Sequence, residues 1–154
     1  MTNYINIYNN LIKLTRNKLL YHNIRSEEVF SYRLTLFLIH FAFFLKVFKK
    51  ENNKKLMQNI YDYNFKQIEI SIREIGYGDV SINKKMKDYL NLFHKIIGDI
   101  DDWENIEDNK KGVFFINILD KNSNSSFFIE YFDNYLNNLK NKSLNYYINN
   151  IIDL

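Results

Sequence analysis

The sequence predicts an all-α fold, a single bundle of about six to seven helices. Three observations predict it. Apolar residues recur at helical spacing along almost the whole chain. The 154 residues include no proline and only Gly76, Gly78, Gly98 and Gly112, too few turn formers for a β sandwich or barrel. The one short apolar run that suits a strand, residues 113–119, has no second run to pair with, so it is read as helix. A chain of this length is one domain by default, here residues 1–154, and can bury a real core.

The first helical segment, residues 3–21, repeats Ile5, Tyr8, Ile12 and Leu19 with basic residues between them. A break is expected at residues 22–25. Ser26 is the expected N-cap of the second helix, with Glu27 and Glu28 in a first turn that favours negative charge. That helix runs to about residue 50, with Phe30, Leu34, Phe37, Phe41, Phe44 and Phe48 in 4-3-4-3-4 spacing and Lys46, Lys49 and Lys50 at its end. Its most apolar part, residues 34–48, would span roughly 22 Å as a helix, short of a hydrocarbon core of roughly 30 Å. A central buried helix is therefore expected.

The third helix, residues 53–75, carries an apolar stripe of Met57, Tyr61, Phe65, Ile68, Ile72 and Ile75 and a charged stripe of Asp62, Lys66, Glu69 and Arg73. Gly76 is placed as a left-handed C-cap, and Asp79 or Ser81 as the cap of the fourth helix, residues 82–97. That helix repeats Ile82, Met86, Leu90, Phe93 and Ile97. Residues 98–109 read as acidic and irregular, with Trp103 as either a plug for one end of the bundle or a surface anchor. Residues 121–125 read as a polar loop. Ser126 is expected to cap a helix bearing Phe128, Phe132, Tyr135 and Leu139, and residues 144–154 a last amphipathic helix.

Composition excludes several chemistries. Without cysteine there are no disulfides, thiolate metal sites or cysteine nucleophiles. No glycine-rich phosphate loop occurs, no ExxH motif supports a di-metal bundle, and no candidate nucleophile has a histidine nearby in sequence. A net charge of +3 is too small to assign nucleic acid by itself. Asn, Ile, Lys, Tyr and Phe are abundant, while alanine occurs once, as Ala42. Codons rich in A and T produce this pattern, so Asn137, Asn138, Asn149 and Asn150 read as drift on helix surfaces. The first ten residues lack a basic stretch followed by an apolar one. The expected location is cytoplasmic, peripheral on the inner face of the cell membrane.

Candidate sites centre on residues 71–86. The plain reading is a capped helix–turn–helix corner. Against it, Lys84, Lys85 and Lys87 crowd the start of the fourth helix, where the dipole disfavours cations, which hints at an anionic partner unless it is lysine drift. His40 on the most apolar helix is either a satisfied core histidine or a polar anchor in a binding groove. Asp62 and Glu69, interleaved with Lys66 and Arg73, read as helical ion pairing rather than an acid–base pair.

The corner resembles the ubiquinol–cytochrome c chaperone family, in the form its bacterial members take. The family's (L/I)-R-E-(M/I)-G-(V/Y)-G-D-(L/V)-S-(V/I) stretch, followed by K, M/V and K, is met by Ile72, Arg73, Glu74, Ile75, Gly76, Gly78, Asp79, Val80, Ser81, Ile82, Lys84, Lys85, Met86 and Lys87. Leu38 to Phe43, with His40, looks like the family's L-H-x-(F/W) segment. Phe93 resembles the start of its F-Y-G-R stretch and Asn117 the Asn of its R-N-(L/V)-Y stretch. His94, Lys95 and Ile96 replace Tyr-Gly-Arg, and Ile116 replaces the arginine. The resemblance covers about residues 30–119.

It implies an all-helical protein that is not an enzyme, needs no cofactor and takes no small-molecule substrate. It implies a chaperone that holds newly made cytochrome b during assembly of the respiratory bc1 complex. Further partners it implies are a second assembly factor, the ribosome or an anionic membrane surface. The partner-binding residues it points to are His40, Arg73, Glu74, Gly76, Gly78, Asp79, Lys84, Lys85, Met86, Lys87 and Phe93. The alternative is a basic helical module that binds RNA or an anionic membrane surface without chaperone activity.

Overall fold

A computed structural model describes residues 4–21, 29–119 and 124–152. Among them lie seven α-helices and no strand, as the periodicity requires: α1 Tyr4–Thr15, α2 Val29–Phe48, α3 Lys54–Glu74, α4 Asp79–Ile100, α5 Asp108–Ile118, α6 Ser125–Lys140 and α7 Leu144–Asn149. The expected break at residues 22–25 and the Ser26 cap lie outside the described residues. The first segment ends earlier than expected, at Thr15, and resumes as a short 3-10 turn, Lys18–Tyr21.

The bundle is organised around α2. It packs on α1, α4 and α6, while α3 closes on α1 and α4, α5 on α6, and α7 on α1. Its heavy phenylalanine load has a packing cause. Phe41, Phe43 and Phe44 are buried in three directions. Phe41 stacks on Phe93 at 5.2 Å between ring centroids. Phe43 stacks on Phe132 at 5.4 Å, and Phe44 meets Tyr147 edge-on. Residues 30–48 are long and apolar enough to cross a membrane by length and composition, yet 67% of that helix's most apolar window is buried in the fold.

Several boundaries depart from expectation, each for a physical reason. The helix expected over residues 82–97 spans Asp79–Ile100 and passes through Gly98. Ile100 is buried, and the Lys95–Asp99 pair at 2.7 Å spans one turn, so packing carries the helix past the glycine. The stretch expected to be irregular is thus a 3-10 turn, Trp103–Asn105, between two helices. Trp103 is the plug. It is buried edge-on against Phe43, Phe114 and Phe115 and donates from Nε1 to Asp133 Oδ1 at 2.8 Å.

α5 starts five residues before the expected apolar run, and Gly112 within it lies against Ser125 of α6, which an added Cβ would meet at 3.4 Å. The cap of α6 is Asn124, whose side chain accepts from the Phe127 N–H at 3.2 Å, not Ser126. The last helix stops at Asn149 rather than running on. Asn10 on α1 captures the chain instead. It donates to the Tyr147 and Asn150 carbonyls and accepts from the Ile152 N–H at 2.8 Å.

Candidate functional site

The corner between α3 and α4 is built by backbone geometry first. The Gly76 N–H closes α3 on the Arg73 carbonyl at 2.9 Å, and Gly76 takes φ 104°, the left-handed conformation expected of it. Gly78 is extended, at φ −72° and ψ 162°, and its carbonyl accepts from the Ile82 N–H at 2.9 Å. Gly78 is therefore the N-cap residue of α4. Neither Asp79 nor Ser81 caps it.

Asp79 stands at the first position of α4 and bonds across the turn. Arg73 donates from Nη1 to Asp79 Oδ1 at 2.7 Å and from Nη2 to Glu69 Oε1 at 3.2 Å. The guanidinium thus ties both helices together at the surface. The Glu69 carboxyl is held below the usual range by its hydrogen bond from Arg73 and by Lys66. Arg73 and Asp79 are exposed and Glu69 is half-buried, so salt screens the strap.

The earlier start of α4 changes the meaning of the lysines. With the helix beginning at Asp79, Lys84, Lys85 and Lys87 lie in its second and third turns, beyond the reach of the dipole penalty. Lys85 has a local role as well, with its ammonium 4.5 Å over the Tyr77 ring. Lys84 and Lys87 are exposed and form no ion pair among the described residues.

Three apolar side chains complete the tip. Ile75 is 49% exposed, Tyr77 41% and Val80 85%. Ile75 thus leaves the apolar stripe of α3, because that stripe ends at the buried Ile72 and the chain turns outward. No sequence periodicity marks these residues as a patch. Their available signal was their clustering around two glycines.

The remaining candidates divide by depth. Met86 is half-buried against the core, and Glu74 is exposed. Phe93 is wholly buried between Phe41, Tyr61 and Phe65. His40 is also wholly buried. Its Nδ1 donates to the Leu36 carbonyl at 2.7 Å, which leaves Nε2 to accept from the Tyr131 hydroxyl at 2.7 Å. Tyr135 donates to the His40 carbonyl. Burial lowers the imidazole pKa to about 4, against the smaller opposing effect of the Leu36 carbonyl. His40 and Phe93 touch no surface of this fold.

A concavity of about 370 Å³ opens between α1, α2 and α3, with Tyr8, Ile12, Phe30 and Phe37 on its walls and Arg16, Arg33 and Glu74 among its lining. Among the described residues no group of histidine and acidic side chains is arranged to hold a metal ion.

A family model described as ubiquinol–cytochrome C chaperone matches residues 23–108. The matched stretch contains α2, α3, the corner, α4 and the Trp103 turn, and it stops where α5 begins, before Asn117. No curated protein matches, and no solved structure matches.

Proposed function

The chain belongs to the ubiquinol–cytochrome c chaperone family, whose members serve in assembly of the bc1 complex, and on that premise we propose that its client is newly made cytochrome b. The protein holds the client at the inner face of the cell membrane through the α3–α4 corner. The observation that carries this reading is the exposed apolar tip of Ile75, Tyr77 and Val80 beside the lysines of α4. Apolar side chains exposed at a turn suit a partner that presents apolar segments before it is assembled.

The charge pattern favours a protein client over RNA. Within residues 69–88, Arg73, Lys84, Lys85 and Lys87 are matched by Glu69, Glu74, Asp79 and Asp88. A nucleic-acid surface needs a net positive face.

The test is a deletion strain combined with affinity purification from solubilised membranes. The deletion is expected to lower haem-loaded cytochrome b, and the tagged protein to bring cytochrome b down. Normal bc1 content in the deletion strain sinks the chaperone reading. Co-purification that vanishes between roughly 50 and 200 mM salt favours the electrostatic alternative.

A further inference from the structure

We propose that the groove between α1, α2 and α3 binds a short client segment in which an acidic side chain stands next to an apolar one. The inference rests on the chaperone reading for its kind of partner. It goes beyond that reading in assigning a site away from the tip of the corner. Four of its eleven lining residues, Tyr8, Ile12, Thr15 and Arg16, also lie outside the matched family region.

The scarcest cation of the chain gathers here. Arginine occurs four times against seventeen lysines, within a basic total of 21, and Arg16 and Arg33 both line this groove. Both are exposed, and neither forms an ion pair among the described residues. Their neighbour is a hydroxyl. Tyr21 donates to the Thr15 carbonyl at 2.6 Å, and the positive charges of Arg33 and Arg16 both act on its hydroxyl. Thr15 itself lines the groove, so the Tyr21 hydroxyl closes that edge near both guanidinium groups. Guanidinium groups at an open edge suit a carboxylate, which they grip in a planar fork.

The walls specify the rest of the occupant. Tyr8, Ile12, Phe30 and Phe37 offer rings and a branched side chain, and Phe30 is 36% exposed. About 370 Å³ accommodates a few side chains, not a whole membrane lipid. Glu74 and Ser71 line the same groove. A carboxylate there accepts N–H bonds from a peptide backbone, a donor that a phosphatidylglycerol head group lacks. A peptide meets all three features at once, and an anionic lipid surface meets two.

The test pans a random dodecapeptide display library on the full-length protein, so it does not depend on which protein is the client. Selected peptides are expected to share an acidic residue beside apolar ones. Replacing that residue by its amide weakens binding about ten-fold or more, as loss of a charge-assisted bond requires. Arg16→Gln with Arg33→Gln is expected to abolish the difference between acid and amide peptides while leaving the thermal melt unchanged. The proposal is overturned if no peptide is selected, if acid and amide peptides bind alike, or if the double variant binds as wild type does. It is also overturned if the two arginines are needed only for binding phosphatidylglycerol vesicles. A double variant that still supports bc1 assembly in a strain needing the protein sinks the groove and spares the chaperone reading. Loss of that need in the deletion strain sinks the chaperone reading alone.

Discussion

Gly76 and Gly78 sit two residues apart and answer to different demands. At Gly76 φ is 104°, which side chains with a Cβ rarely adopt, although nothing lies within 4 Å of where that Cβ would be. Gly76→Val should therefore cost about 1–2 kcal/mol, or more with a branched side chain, through backbone strain alone. Gly78 has an ordinary extended backbone and equal room. Gly78→Ala should change stability by no more than about 1 kcal/mol, since the glycine N-cap loses little. Paired urea titrations of the two variants separate the cases.

His40 gives the fold a pH dependence. Its folded pKa is lowered to about 4 by burial, while the unfolded side chain titrates at 6.5. Between those values the unfolded chain binds the extra proton, so stability is complete above pH 6.5 and falls as pH drops toward 4. The loss should approach about 3 kcal/mol. Glu104 adds to it at lower pH. Partial burial pushes its carboxyl up, but its own backbone N–H, Lys140 and Lys46 together bring it to about 2. That exposed cluster should matter less, and only below pH 4.5. Urea midpoints from pH 7.5 to 4 should trace the His40 part, and His40→Gln should flatten it while lowering stability at pH 7.

At the scale of the element, α4 shows how a boundary changes a conclusion. A start at residue 82 would have put three lysines against the helix dipole. The start at Asp79 places them where the dipole is spent. Lys84→Glu with Lys85→Glu should therefore leave the fold intact and cost little more than the Lys85–Tyr77 contact. Cytochrome b recovered with the tagged protein should fall several-fold. Equal recovery would mark the lysines as drift.

The Trp103 turn is the opposite kind of element. Asp133 accepts from both the indole and the Lys111 ammonium, at 2.8 and 3.1 Å. Lys111 is buried and lies 5.0 Å from the Trp103 ring. Trp103→Ala should cost about 3–5 kcal/mol, because it empties an aromatic site and strips Asp133 of a donor. Thermal denaturation reads this directly.

At the scale of the whole molecule, the two ends of the chain close on each other. Asn6, Asn10 and Lys13 bond the backbone at Ile148, Tyr147, Asn150 and Ile152. Asparagine that composition marks as drift is structural at Asn10, which is buried and fully engaged. Asn10→Ala should cost about 1–3 kcal/mol by orphaning two carbonyls and one N–H, and should raise hydrogen exchange at Ile152 first.

Seven helices, the glycine turn and the family were legible in the sequence because each is written in near neighbours. Heptad-like spacing of Phe30 to Phe48 buries one stripe wherever the helix lies. A left-handed residue after Arg73 and Glu74 asks for glycine whatever surrounds it. What surrounds His40 is not written beside it. Its partner Tyr131 stands 91 residues away, and only the packing of α6 on α2 decides for a core residue against a polar anchor in a binding groove. The same holds for Trp103 as plug, for Ile75 as surface, and for the groove that joins Arg16 to Arg33. Periodicity is a local property of a helix and survives without its neighbours. Exposure depends on which helix arrives from elsewhere in the chain, so burial, ion pairing and the shape of the binding surfaces were decided by the tertiary structure alone.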